Sequence, residues 1–276
     1  MADIASQKDK RGVYLDNVGI TNLKMPISVR DKSDRSVQNT IGNFNAFVDL
    51  PADIRGTHMS RIVETLYRHR TEINQAGLKN LTKDLLAQLG AQRSRVEVEF
   101  PYFTDTWSPV SNAHNMMTHT AWFEIKSWTC LIDGPAPDKQ VFSIQHDFRL
   151  GVDVDVMTVC PCAKEECDNG NSHVQRGKVR ISVKPIAGKW VWFEELIDIA
   201  QHAGSFPVFD RLKREDEKAV VISGFENPKF VEDVCRDAVI ALKNRDDIEA
   251  YKVEVENYES IHTHNAYSRK VHKWEE

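Results

Sequence analysis

The chain has 276 residues, of which 41% are hydrophobic and 28% charged, and a formal net charge of -5. That length can bury a large core in one or two domains, and the acidic balance argues against non-specific binding to nucleic acid or to an anionic membrane surface. No apolar run approaches the ~18 residues of a membrane span, the opening "MADIASQKDKRG" lacks the apolar core of an export signal, and five cysteines, an odd number, point to free thiols in a reducing, cytoplasmic compartment.

Residues 1–12 read as a polar, frayed arm. Strand-like stretches follow near Val13–Val29 and Gln38–Asp49. In "GTHMSRIVETLYRHR" the residues Met59, Ile62, Val63 and Leu66 fall on one helical stripe, and Thr57 is placed to cap it. A second helix carries Leu78, Leu81, Leu85 and Leu89 on one face. "RSRVEVEF" and "NMMTHTAWFEIKSW" are strand-like. The order over residues 13–135 is ββααββ.

"DGPAPDK", residues 133–139, has the Gly and Pro content of a linker. The pattern then returns over 136–276. Val152, Val154 and Val156 alternate with Asp153 and Asp155, and "HVQRGKVRISVKP" is a second strand. "WVWFEELIDIAQHA" is helical, with Phe193, Leu196, Ile197 and Ala200 on one side. "ENPKFVEDVCRDAVIALK" is helical, with Asn227 as cap and Pro228 in the first turn. "AYKVEVENYESIHTH" reads as a period-two strand. The expected class is therefore α+β: two tandem ββααββ units, each an antiparallel sheet with helices on one face. The other face would need burial, and closing sheets from several units into a barrel would supply it while removing strand edges. Two unrelated α+β domains are the plainer alternative.

Chemistry concentrates in "TVCPCAKEECDNGNSHVQRG", residues 158–177. Cys160, Cys162, Cys167 and His173 are soft ligands suited to a transition metal. They could form a closed structural knuckle, or some of them could join distant residues in an open site. Cys160 and Cys162 flank a single proline, a spacing that favours the open site. "ESIHTH" adds His262 and His264, two apart, so that on a strand both would face one way. Glu259 has the opposite parity to His262 and shares a pocket with it only if the strand bends or ends between them. "KREDEK" places Glu215, Asp216 and Glu217 in what reads as a solvated charged loop. Glu232 and Asp233 open a helix, where complementing its dipole is the plainer role. His58 and Arg61 sit three apart at a helix start, which suits an anion but also suits an ordinary amphipathic helix.

Five motifs in this order, "GTHMSR", "VCPCAKE…HVQRG", "KREDEK", "NPKFVED" and "NYESIHTHNAYS", resemble the type IB GTP cyclohydrolases, over about residues 40 to 270. The resemblance implies a tunnelling fold, with two units per chain closing into barrels across a homotetramer, and sites at subunit interfaces. It implies GTP as substrate, 7,8-dihydroneopterin triphosphate and formate as products, and one divalent metal per site, with zinc, manganese and iron all accepted. By motif, Cys160 is the metal ligand and catalytic thiol, and His173, Glu217 and His262 are the other ligands. Glu232 corresponds to the general acid/base and Glu259 to the guanine-binding carboxylate. His58 and Arg61 correspond to triphosphate contacts, and His264 is placed with the substrate-binding residues. The loop from Cys160 to His173 is one residue longer than the pattern and carries an extra thiol, Cys167. An archaeal-type relative yielding a cyclic phosphate, a non-catalytic purine- or pterin-binding protein on the same fold, and a structural-zinc protein are the competing readings.

Overall fold

The computed structural model describes residues 4–32, 37–133 and 140–275. It divides into two compact units, one of Met1–Arg30, Arg35–Phe100 and Trp122–Arg149, the other of Asp31–Asp34, Pro101–Ala121 and Leu150–Glu276. The expected linker, Asp133 apart, lies outside the described residues.

The first unit is built from β1 (Leu15–Arg30), β2 (Val37–Leu50), α1 (Met59–His69), α2 (Gln75–Leu89) and its share of β3 (Arg93–Trp107), β4 (His114–Asp133) and β5 (Gln140–Val159). These strands neighbour one another in chain order. β1 and β2 pair antiparallel with Met25 opposite Gly42, and β2 pairs with β3 with Asn45 opposite Glu97. Alternation puts Phe44, Ala46 and Val48 with Val96 and Val98 on the buried side, where α1 supplies Ile62 and Leu66 and α2 supplies Leu78, Leu81 and Leu85. The expected stripe on α1 is narrower, because Met59 is 40% exposed. The residue preceding α1 is His58, not Thr57, and its side chain makes no capping bond. Asn74 caps α2 by accepting from Ala76 N and Gly77 N, and Gly90, at φ 62, ends it. The segment read as a frayed arm is paired: Asp9 N donates to Asp53 O at 2.8 Å, Arg55 N to Gln7 O at 3.0 Å and Gly56 N to Ala5 O at 3.0 Å.

The second unit adds α3 (Pro161–Glu166), β6 (Val174–Pro185), α4 (Phe193–Ala203), β7 (Phe206–Pro207), α5 (Arg214–Glu226), α6 (Val231–Lys243), β8 (Ile248–Asn257) and β9 (Ala266–His272). Its neighbour order is β5-β6-β8-β9, with β7 on β5. Val152, Val154 and Val156, Val179 and Ile181, and Val253 and Val255 form the buried side with Leu196, Ala200, Val234 and Ala238.

Three expectations change here. The "KREDEK" loop is the start of α5, because Asp216 is fully buried and accepts from Val110 N, Ser111 N, Ser111 Oγ and Lys213 N at 2.6–2.9 Å. Burial alone would raise its pKa, but these four bonds outweigh that and hold it well below the carboxylate range. Helix α6 starts at Val231 after Phe230, while Asn227 ends α5 and donates to Gly204 O and Ser205 O. The last expected strand stops at Asn257, and residues 258–265 are bent chain before β9.

The sheet faces turned away from the buried sides carry ion pairs in both units. In the first unit Arg95 contacts Glu97 and Glu124, and Lys126 lies 3.6 Å from Glu124. In the second, Arg180 makes two 2.8 Å bonds to Asp153, and Lys252 meets Glu254 at 3.0 Å. An antiparallel sheet can keep such a face in water, though in the first unit Ile41, 59% exposed, and Trp128, 38% exposed, share it with these charges. Among the described residues no helix is long and apolar enough to cross a membrane.

Candidate active site

β5 ends at Val159, paired with Val174 of β6, so the residues just beyond this pair, Cys160 and His173, begin and end one loop side by side. Cys160 N donates to His173 O at 3.3 Å, and Ser172 Oγ donates to Cys160 O at 2.7 Å. Cys160 precedes α3 with extended backbone, and Pro161 occupies the first helical position, where its missing N–H costs nothing. All three thiols of the loop are free; Cys162 and Cys167 are exposed and Cys160 is half-buried.

The imidazole of His173 is half-buried and tightly placed. Its Nδ1 lies 2.8 Å from Gln175 Oε1, and Gln175 Nε2 donates to Thr158 Oγ1 at 3.1 Å. Glu259 Oε2 lies 3.7 Å from the same Nδ1. That oxygen is buried and has no hydrogen-bond partner. The His262 ring stands edge-on to His173 at 6.5 Å between centroids, and His264 stacks on His262 at 5.2 Å. Because β8 has already ended, strand parity does not apply to Glu259 and His262, and the bend lets both approach His173. Tyr258 N donates to Arg176 O at 2.9 Å and fixes the start of the bend. Asn257, 2% exposed, packs its Oδ1 where a Cβ on residue 177 would stand, 2.5 Å away, so that position takes glycine.

The entry to α6 is tied to the same corner. Lys229 N donates to Val159 O at 3.0 Å, next to Cys160, and Ser268 Oγ of β9 donates to Val231 O at 2.8 Å. Glu232 is exposed on the first turn and lines a 380 Å³ cavity with Cys235, Arg236 and Lys270. Glu217 is exposed in the first turn of α5. His58 and Arg61 form a separate pair in the first unit. Ser6 Oγ lies 3.5 Å from His58 Nε2, and Arg61 Nη1 donates to Gln88 O at 3.2 Å. Cys160, His173, Glu259, His262 and His264 thus gather, with the Glu232 helix anchored beside them.

Residues 1–268 match the family described as type I GTP cyclohydrolase folE2. The chain belongs to that family. It is 43% identical over 268 residues to GTP cyclohydrolase FolE2 of Pseudothermotoga lettingae, covering 97% of each chain. It is 44% identical to that of Thermosipho melanesiensis, covering 97% of this chain and 96% of the relative. For a Geobacter FolE2 the identity is 40%, with 97% and 93% covered. The motif resemblance was to the type IB enzymes; the family stands as FolE2 within type I. In fold, the chain is similar to uricase from Arthrobacter globiformis, with a TM-score of 0.52, 8% identity and 93% of each chain covered, a tunnelling-fold-like neighbour. At that identity the likeness speaks of fold alone.

For a FolE2 chain the donor set at this corner suits a divalent transition ion: a thiol, an imidazole whose Nδ1 is engaged so that Nε2 remains, a second imidazole, and an unpartnered carboxylate oxygen nearby. Among the described residues, no three His, Cys, Asp or Glu side chains stand at ligating separation. That holds for the closed knuckle of Cys160, Cys162, Cys167 and His173 and for the open set alike. Cys160, His173 and His262 suit such an ion by donor chemistry, with His173 and His262 6.5 Å apart between ring centroids. Sequence reasoning passed over Gln175 and Asn257 and read Asp216 as solvated, since polar residues on strands and helix starts read as solvated until their partners are known.

Proposed function

We propose that this FolE2 chain converts GTP and water to 7,8-dihydroneopterin triphosphate and formate, opening tetrahydrofolate biosynthesis. Cys160, His173 and His262 would hold one divalent ion, zinc, manganese or iron, with Glu217 the carboxylate that the motif would add. The observation that carries this reading is the buried, partnerless oxygen of Glu259 beside His173. A buried charged acceptor without a donor is costly, and guanine offers adjacent N1–H and N2–H₂ donors that one carboxylate accepts together.

The ion, when bound, supplies water acidic enough to yield hydroxide near neutral pH, for addition at C8 of the base. The rest falls to side chains. Glu259 orients the guanine. Glu232 carries protons to and from N7 and N9 as the imidazole ring opens and formate leaves. The freed amine then condenses with the rearranged ribose carbons. His58 and Arg61 hold the triphosphate at the start of α1, where free backbone N–H groups add to their charge, and His264 borders the substrate from its stack on His262. β1 and β9 each have a single neighbour in the sheet. Edge pairing between copies would close barrels in a homotetramer, and sedimentation as a stable, active monomer would reject that assembly.

The function is tested by incubating metal-reconstituted protein with GTP while following formate and pterin fluorescence, with product mass determined. The linear triphosphate is expected. A cyclic phosphate would mean the archaeal-type reaction. Tight binding of GTP without formate would mean a non-catalytic binding protein, and chelation-resistant metal without turnover a structural zinc.

A further inference from the structure

Gln175 is 7% exposed and fixed at both ends of its amide, to Thr158 Oγ1 at 3.1 Å and to His173 Nδ1 at 2.8 Å. Two orientations of that amide satisfy these contacts. In one, Nε2 donates to Thr158 and Oε1 accepts from Nδ1–H. In the other, Oε1 accepts from the threonine hydroxyl and Nε2 donates to a bare Nδ1. A third group decides between them. Glu259 Oε2 lies 3.7 Å from Nδ1, buried and without another partner. A bare Nδ1 would turn a lone pair toward a buried carboxylate, whereas an Nδ1–H turns a proton toward it. The first orientation is therefore the stable one.

We infer that Gln175 is the positioning residue of this site: anchored by Thr158, it holds His173 as the Nδ1–H tautomer, so that Nε2 presents its lone pair as a ready-made ligand. An isolated neutral imidazole has no such commitment, and a ring that must lose its Nε2 proton and rotate before ligating binds metal less well. The inference rests on the proposal that His173 holds the metal, but its first readout does not.

The test uses the full-length protein with ¹⁵N-labelled histidine. In the metal-free wild type, at a pH where His173 is neutral, the ring should show protonated Nδ1 and bare Nε2. In Gln175→Leu the same ring should move toward the Nε2–H form, and the dissociation constants for zinc and for manganese should rise about 10- to 100-fold. Gln175→Glu restores an acceptor facing Nδ1 and should recover the wild-type tautomer, with metal binding within a few-fold of wild type. Thr158→Val, nearly isosteric, removes only the far anchor and should fall between them; it serves equally if Gln175→Leu does not fold. A wild-type ring protonated at Nε2, or a tautomer and metal affinity unchanged in both Gln175→Leu and Thr158→Val, overturns the inference. If the wild-type protein shows the Nδ1–H tautomer but binds neither metal, the positioning stands and the metal reading of His173 fails.

Discussion

His119 on β4 is 5% exposed and bonds through Nε2 to Thr104 Oγ1 at 3.1 Å. Burial lowers its pKa from 6.5 to about 4, against the opposing pull of Asp155 and Asp210. The folded protein therefore keeps this ring neutral while the unfolded chain protonates it as pH falls below 6.5. Above that value both states are neutral and the group is indifferent to folding. Below it the unfolded state binds more protons, so stability is lost, by about 2 kcal/mol at pH 5 and about 3 kcal/mol at pH 4. Other groups titrate in the same range, so the informative quantity is a difference. His119→Gln keeps a partner for Thr104 but cannot titrate. Urea unfolding of both proteins, at one fixed concentration because assembly contributes to stability, should show the wild type losing about 2 kcal/mol more than the variant between pH 7.5 and pH 5. Parallel pH profiles would show that the folded protein accepts the proton at His119 without cost, and the argument from burial would fail.

Cys160→Ala should abolish turnover and weaken metal binding with little loss of melting temperature, while Cys167→Ala, at an exposed position, stays near wild type in both; equal melting losses for the two would favour the closed knuckle. Glu232→Gln should retain metal yet lose about 10²-fold or more in kcat, whereas His262→Ala should lose metal itself; if metal content falls equally in both, Glu232 is a ligand. Glu259→Gln should lower kcat/KM for GTP about 10- to 100-fold, the worth of a charge-assisted bond, and lower that for ITP, which lacks the 2-amino donor, by less. An unchanged GTP-to-ITP ratio would assign base recognition to another residue.

Elements with an apolar rhythm were legible in the sequence. Val152, Val154 and Val156 could only be a half-buried strand, and the Phe193, Leu196, Ile197, Ala200 stripe gave α4. Helix α5 was illegible for a physical reason: its buried face is Asp216, Val220 and Gly224, and an aspartate counts as a core residue only once donors arrive from Ser111, 105 residues away in sequence. Asn227 followed by proline looks like a helix cap, but its amide is used to hold Gly204 O and Ser205 O. In the site, Cys160 and His173 could be placed together because they flank two pairing strands. His262 could be suspected but not oriented, since nothing in an alternating run announces where β8 stops. Gln175 and Asn257 left no signal, because a buried amide is recognisable only by what it touches.

The matched charges on the open face of the second unit bear on how an anionic nucleotide travels. Arg180 faces Asp153, Lys252 faces Glu254 and Lys184 faces Glu249, each within 3.2 Å. Pairs this close cancel beyond about one Debye length, ~8 Å at physiological salt. To an approaching triphosphate those three pairs are electrically quiet: they neither draw the nucleotide in nor turn it away. In a chain whose net charge is -5, capture then falls to cations outside these three pairs. Added salt should slow the arrival of nucleotide through those cations and leave the three close pairs indifferent.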